Sequence, residues 1–155
     1  MKSVREISAT LRPVLESDGP LLWRWANDPM VRLASFHTQP IPWEDHVEWF
    51  RKKLGDSNCR ISIILRDGKP IGQIRSQIDG QGTAEVHISI AQEHRGRGIG
   101  RRAIQLACEE LFQEGLVRRI IARIKLENLA SIQSFESAGF VHEEGLVWVK
   151  KAPRP

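Results

Sequence analysis

A glycine-rich turn is the feature of this sequence most suited to chemistry. It reads Arg95-Gly96-Arg97-Gly98-Ile99-Gly100, and it stands between a segment of alternating polarity and a segment with helical periodicity. The N-terminus of a helix carries unpaired backbone N–H groups and the positive end of the helix dipole. Glycines let the backbone approach an anion without Cβ clashes. The turn therefore predicts a diphosphate site on the backbone from Arg95 to Gly100, with added charge from the flanking arginines.

The turn allows three other interpretations. The first is a plain strand-to-helix turn with solvated arginines, and it remains open from the turn alone. A dinucleotide-binding fingerprint is disfavoured, because Arg101 stands where the third glycine belongs and hairpins precede the turn. A Walker loop is excluded, because no Gly-Lys-Ser/Thr follows.

The elements before the turn begin with a predicted strand, ISATLRPV, that ends near Pro13. Ser17 or Asp18 can cap a first helix, which stops before Pro29. A second helix runs from Pro42 to Gly55. Three consecutive, antiparallel strands follow, in the segments ISIIL, PIGQIR and AEVHISI, with a hairpin turn at Asp67-Gly68.

After the turn, apolar residues at i, i+3, i+4, i+7 and i+8 predict a long helix that ends at Gly115. VRRIIARI is a predicted strand, Asn128 can cap a last helix that ends at Gly139, and FVH and LVWV form a final strand pair. The predicted order is β-α-α-β-β-β-α-β-α-β-β. It predicts an α/β (α+β) fold with a central mixed, mostly antiparallel sheet flanked by helices.

Two motifs in this frame resemble those of a known family. ISIAQEHRGRGIG is similar to the acetyl-CoA signature of the GNAT superfamily, R/Q-x-x-G-x-G/A, with Arg95, Gly98 and Gly100 in the defining places. The stretch from Asn128 to Phe140 resembles the second cofactor segment, N-x-x-[AS]…Y-E-K-x-G-F. The element order also matches the GNAT fold. The chain is thus identified as one GNAT domain over 1–155, with an acceptor-side region at 1–60 and an acetyl-CoA-binding core at 83–140.

The resemblance implies how acetyl-CoA, the expected co-substrate, is held. Its diphosphate would lie on the amides of the glycine turn, and its pantetheine arm beside the strand that ends at Ile90, as an added strand. A backbone N–H near Ile88 or Ile90 would polarise the thioester carbonyl. The predicted cofactor-binding residues are Ile88, Ile90, Arg95, Gly96, Arg97, Gly98, Ile99, Gly100, Arg101, Asn128, Ser131 and Phe135.

Catalytic candidates come from the alternation in AEVHISI. Val86, Ile88 and Ile90 share one face of the strand, and Glu85, His87 and Ser89 share the other. Attack by an amine needs the neutral amine, so a base helps. Glu85 and His87 are the predicted catalytic residues, with a merely structural pair as the alternative. Glu93 and His94 are weaker candidates.

Phe135 departs from the family pattern. Many relatives have a tyrosine there, thought to protonate the departing thiolate, but this chain contains no tyrosine. We expect Phe135 to keep the packing against the pantetheine arm. Ser131, Ser134 or a water molecule could serve as the acid instead.

The acceptor is expected to be set by the N-terminal half. The pattern W-R-x-x-N-D-P-x-V-R…H-x-x-W-F resembles acetyltransferases of nucleotide-linked amino sugars, of the pseudaminic acid pathway type. It resembles more loosely the ribosomal-protein N-terminal, spermidine and aminoglycoside acetyltransferases. Arg32 and His37, in an expected loop after the first helix, are the predicted acceptor contacts. The predicted function is acetyl transfer to a primary amine of a small molecule. The alternatives are a protein or peptide N-acetyltransferase, a non-catalytic acyl-CoA-binding module and a nucleic-acid binder.

Composition and charge indicate which other classes of partner to expect. The net charge of +4 suits a polyanionic small molecule, and the arginines are not massed in a tail, so no nucleic-acid partner is expected. Two cysteines without CxxC spacing and histidines without HExxH spacing predict no metal. Without a long apolar run or a signal-like N-terminus, we expect a cytoplasmic protein with no membrane partner, and a homodimer is left open.

Overall fold

The structure is a computed structural model, and it describes residues 8–154. These residues form seven strands and five α-helices. The strands are β1 (Thr10–Pro13), β2 (Cys59–Arg66), β3 (Lys69–Ile78), β4 (Thr83–Ile90), β5 (Arg119–Arg123), β6 (Val141–Glu144) and β7 (Val147–Lys151). The helices are α1 (Gly19–Ala26), α2 (Pro29–Ala34), α3 (Trp43–Leu54), α4 (Ile99–Gln113) and α5 (Leu129–Ser137). Short 3-10 turns lie at Glu16–Asp18 and Gln92–His94.

The strands form one sheet in the order β1-β2-β3-β4-β5-β7-β6. The pair β4–β5 is parallel, and the other neighbouring pairs are antiparallel. The predicted fold class, a mixed and mostly antiparallel sheet flanked by helices, is confirmed. The start of the first predicted strand, Ile7, lies outside the described residues.

One helix was missed by the sequence analysis. α1 ends at Ala26, as the prediction required, but Pro29 then begins α2 instead of a loop. The side chain of Asp28 accepts a hydrogen bond from the backbone N–H of Met30, 2.9 Å away, and so caps this helix. Proline is well suited to the first helical position, because its missing N–H would have no partner there.

The hydrophobic core has two layers. The larger layer lies between the sheet and helices α4 and α5, and includes Ile104, Cys108 and Ile120, all fully buried. Burial raises the pKa of the Cys108 thiol to about 12, so this cysteine is an inert core residue. The smaller layer packs Leu22 of α1 and Phe50 of α3 against β2. None of the helices between residues 8 and 154 is long and apolar enough to cross a bilayer.

The sheet opens along one side of β4. β4 and β5 pair only at Thr83↔Arg119, Ala84↔Ile120 and Glu85↔Ile121. Beyond Glu85, β4 continues to Ile90 with its pairing to β3 intact. A split therefore separates the end of β4 from β5, and α4 begins shortly after β4 ends.

Candidate active site

The backbone of β4 presents donors to this split. Ala91 donates its backbone N–H to the carbonyl of Ile71 (2.7 Å). Every second residue of β4 before Ala91 therefore also directs its N–H toward β3. Hydrogen-bonding direction alternates along a strand. Ile88 and Ile90 therefore turn their N–H groups away from β3, toward the split. These are the two residues that the sequence analysis named for polarising a thioester.

The glycine turn forms an open cradle at the end of the split. Gly96 and Gly98 both have φ of 75°, a conformation that glycine adopts without strain. Gly98 is the N-cap of α4, and the N–H of Arg102 bonds to its carbonyl. The amides of Ile99, Gly100 and Arg101 precede that first helical bond and have no intrahelical acceptor. A Cβ built on Gly96 would meet nothing within 4 Å. This geometry fits a diphosphate.

Gly100 has an additional role in packing. A Cβ there would lie 3.3 Å from Oγ of Ser134 in α5 and 3.4 Å from Cδ1 of Ile90. The absence of a side chain thus lets α4 approach both α5 and β4. Its contact with the cofactor stays a prediction, whereas this close approach gives an independent reason for glycine at the position.

Arg95 is engaged inside the protein. Its Nε donates to the carbonyl of Ile90 (2.8 Å), its Nη2 lies 3.3 Å from Oδ2 of Asp28, and its backbone N–H bonds to Gln92. Arg95 therefore braces the turn, and its contact with the diphosphate stays a prediction. Arg97 and Arg101 are exposed and form no salt bridge within residues 8–154, so their charges remain available to a bound anion.

The predicted second cofactor segment, from Asn128 to Phe140, has residues that cap a helix or pack in the core. Asn128 caps α5, because its side-chain oxygen accepts from the backbone N–H of Ser131 (3.2 Å). Phe135 is 3% exposed and packs edge-to-face on Phe140, with ring centroids 5.0 Å apart. Capping and core packing account for Asn128 and Phe135, and their cofactor contacts, like that of Ser131, stay predictions.

The two predicted catalytic residues lie together on the face of β4 opposite the one that packs against α4. Nε2 of His87 is 3.9 Å from Oε2 of Glu85, whose other oxygen accepts from Nε of Arg123 at 2.8 Å. Arg75 of β3 lies opposite His87, with its guanidinium 4.9 Å from the ring centre of Trp49.

The charge state of His87 follows from these neighbours. Burial, and then Arg75, lower the pKa of His87 to about 4, against the opposing effect of Glu85. The imidazole still keeps 41% of its surface exposed, so solvent can reach it. His87 is therefore neutral at pH 7, and its lowered pKa makes it a weak base. Glu85 is already held by Arg123, which favours an orienting role for it.

The two predicted acceptor contacts, Arg32 and His37, lie in different surroundings. Arg32 belongs to α2, and not to a loop as expected. Its guanidinium donates to the carbonyls of Ala26 (2.7 Å) and His37 (2.8 Å). It therefore ties the chain after α2 back onto α1, and its contact with the acceptor stays a prediction. His37 is exposed, and its acceptor contact stays a prediction.

Trp23 and Asn27, in the sequence pattern of this region, also form hydrogen bonds within the region itself. Nε1 of Trp23 donates to the carbonyl of Ile41 (2.8 Å). The amide of Asn27 donates to the same carbonyl (3.0 Å) and accepts from the N–H of Ile41 (2.8 Å). These bonds close the segment between α1 and α3 into a defined loop.

A groove that sequence reasoning missed lies beside this loop. It has a volume of ≈ 660 Å³ and runs between α2 and the connection from β5 to α5, where Nζ of Lys125 donates to the carbonyl of Leu33 (3.0 Å). Its lining is mainly apolar and includes Met30, Leu33, Phe36, Leu126 and Leu146. The apolar residues of α2 could have indicated it, had that helix been predicted.

Comparison with known proteins settles the family. Residues 9–141 match the sequence model of the acetyltransferase (GNAT) domain. This chain belongs to the GNAT acetyltransferase family. Membership confirms the predicted enzyme class, acyltransferase, and the predicted co-substrate, acetyl-CoA.

Two individual relatives each share less than a third of their aligned residues with this chain. An uncharacterized protein of Methanocaldococcus jannaschii is 28% identical over 84% of this chain, which spans only 27% of that protein. An aminoglycoside N(6')-acetyltransferase of Klebsiella pneumoniae is 24% identical over 94% of this chain and 80% of its own length.

The fold is shared with solved structures. The ribosomal-protein-alanine N-acetyltransferase of Brucella melitensis superimposes with a TM-score of 0.77, at 26% identity, over 92% of this chain and 99% of that one. The broader predicted resemblance to aminoglycoside and ribosomal-protein acetyltransferases is thereby confirmed. The resemblance to the pseudaminic acid pathway type stays a prediction.

Proposed function

We propose that this chain transfers the acetyl group of acetyl-CoA to the primary amine of a small molecule, and that the acceptor is a nucleotide-linked amino sugar. The observation that carries the acceptor class is the charge around His87. Arg75 lies opposite His87 on β3, and Arg123 is paired with the nearby carboxylate of Glu85, so the charge of Arg75 is left in excess beside His87. A surplus of cations favours an acceptor that carries a diphosphate, and it disfavours a polycation such as spermidine or an aminoglycoside.

The coenzyme would be held by backbone more than by side chains. The amides of Ile99, Gly100 and Arg101 suit its diphosphate, with Arg97 and Arg101 supplying charge. The split between β4 and β5 suits the pantetheine arm as an added strand.

Acetyl transfer needs the acceptor as a neutral amine. A lysine-like amine with a pKa of about 10.4 is neutral about once in a thousand molecules near pH 7.4, a cost of about 4 kcal/mol. An amine flanked by electronegative sugar carbons is less basic, so a larger fraction of it is neutral and less base catalysis is needed. His87, a weak base, would relay the proton toward water as the nitrogen loses it.

The bond changes follow from the groups in place. The nitrogen forms a bond to the acetyl carbon, and the carbon–sulfur bond breaks to release the thiolate. The N–H groups of Ile88 or Ile90 donate to the acetyl oxygen as negative charge grows on it. With a thiol pKa near 8.5, releasing thiolate instead of thiol at pH 7.5 costs about 1.4 kcal/mol, so the missing tyrosine is tolerable.

A competition experiment tests the acceptor. The protein is supplied with acetyl-CoA and equal concentrations of a UDP-linked 4-amino sugar, spermidine, an aminoglycoside and a short peptide with a free N-terminus. Preferential acetylation of the amino sugar supports the proposal. The peptide is the main rival because of the Brucella relative. Preference for the peptide or for either polycation would overturn the acceptor class and leave the family assignment intact.

A further inference from the structure

Asp28 joins the two halves of the site through one carboxylate. Its Oδ1 accepts from the backbone N–H of Met30 (2.9 Å), which fixes the start of α2 on the acceptor side. Its Oδ2 lies 3.3 Å from Nη2 of Arg95, in the glycine turn. The Asp28 side chain is 20% exposed and that of Arg95 32%, so solvent screens the pair only in part.

Arg95 continues the connection to β4. Its Nε donates to the carbonyl of Ile90, 2.8 Å away, on the side of β4 that faces the split. The chain of contacts therefore runs from the start of α2 through Asp28 and Arg95 to the end of β4. The backbone donors that face the split lie at that end.

We propose that Asp28 is a positioning residue, which holds Arg95 so that the end of β4 and the glycine turn are correctly placed for acetyl-CoA. The inference rests on the proposed function only for the location of the coenzyme. It accounts for the Asn-Asp-Pro sequence that precedes α2: Asn27 closes the acceptor-side loop, Asp28 ties that loop to the turn, and Pro29 begins the helix. One carboxylate thus makes the acceptor-side segment and the cofactor turn a connected unit.

The capping role and the pairing role can be separated by substitution. Asparagine and serine are both good N-caps, so Asp28→Asn and Asp28→Ser retain a bond to Met30. Neither carries the charge that pairs with Arg95. The matched control is Asp79→Asn, because Asp79 also accepts backbone N–H bonds in a turn, from Gln81 and Thr83, but at the other end of β4.

The test measures acetyl-CoA binding by calorimetry, with Tm as the control for folding. We expect both Asp28 variants to bind acetyl-CoA about 3- to 10-fold more weakly, as for the loss of a partly exposed ion pair. Their Tm should stay within about 3 °C of the parent, as Asp79→Asn should in both measurements. The effect of Asp28→Asn should also be lost in an Arg95→Gln background, because the pair is then already broken.

Two results would overturn the inference. Acetyl-CoA affinity that is unchanged or higher in both Asp28 variants would show that Arg95 needs no partner to place the turn. Additive effects of Asp28→Asn and Arg95→Gln would show that the two residues act separately. Failure of the parent protein to bind acetyl-CoA would instead refute the proposed function as well, so the two failures are distinguishable.

Discussion

Gly72 of β3 and Ser89 of β4 approach so closely that a Cβ on Gly72 would lie 2.5 Å from the carbonyl oxygen of Ser89 and 3.0 Å from Cα of Ile90. Backbone atoms cannot yield as a flexible side chain can. The end of β4, which carries the donors that face the split, is therefore set by the absence of a side chain on the neighbouring strand.

Substitution of Gly72 should accordingly affect stability and coenzyme binding together. Gly72→Ala forces β3 and β4 apart, at a cost of about 1–3 kcal/mol. We expect Tm to fall by about 2–10 °C and acetyl-CoA to bind more weakly. Scanning calorimetry and titration calorimetry measure the two. Gly55→Ala is the control, because its Cβ would meet only ordinary contacts at 3.7 and 3.8 Å. Equal results for the two variants would contradict the steric argument.

Two glycines with the same backbone conformation separate strain from cofactor binding. Gly96 and Gly115 have φ of 75° and 76°, and a Cβ on either would meet nothing within 4 Å. Gly96→Asp and Gly115→Asp should therefore lose similar amounts of stability. Only Gly96→Asp places a negative charge beside the predicted diphosphate, so we expect acetyl-CoA affinity to fall about 10-fold or more in that variant alone. Equal affinities would place the coenzyme elsewhere.

Phe135 should act mainly through the core. Its 3% exposure and its edge-to-face contact with Phe140 predict that Phe135→Ala destabilises the protein by about 3–5 kcal/mol. Urea unfolding measures this. Phe36→Ala, at a side chain that is 54% exposed, should cost much less. A stable Phe135→Ala variant with weakened acetyl-CoA binding would restore the sequence-based expectation that the ring packs chiefly against the pantetheine arm.

His87 should make the protein sensitive to acid. Its pKa is about 4 in the folded protein and near 6.5 when unfolded, so the folded state takes up its proton less readily. The stabilisation is complete above pH 6.5 and is lost as the pH falls from 6.5 toward 4. We expect the Tm of His87→Gln to fall less between pH 7.5 and 4.5 than that of the parent. His37→Gln, at an exposed histidine, should follow the parent curve, and parallel curves for all three proteins would be inconsistent with the shifted pKa.

The parts of the site that the sequence could predict are those formed by one continuous segment of the chain. The glycine turn and α4 follow from glycine placement and from apolar spacing within one segment. The outward-facing donors at Ile88 and Ile90 agree with the resemblance. The split itself could not be derived from periodicity, because it depends on where the pairing of β4 with the distant β5 stops, at Glu85.

The features that the sequence does not predict have a common physical cause. Pro29 follows the end of one helix, but Asp28 before it also supplies the cap that starts another. The hydrogen-bond partners of Arg32 are backbone carbonyls that only the turning of the chain after α2 brings near it. Asp28 and Arg95 are far apart in sequence, so no local pattern indicates that their side chains face each other.

Amide hydrogen exchange along β4 should alternate with residue number. The N–H groups of His87, Ser89 and Ala91 lie in register to bond to β3, whereas those of Ile88 and Ile90 face the split. In the free protein, NMR would then record slow and fast exchange at successive residues of one strand. Acetyl-CoA, bound as an added strand, would slow only the fast set, and the ligand would be detected as the disappearance of that alternation.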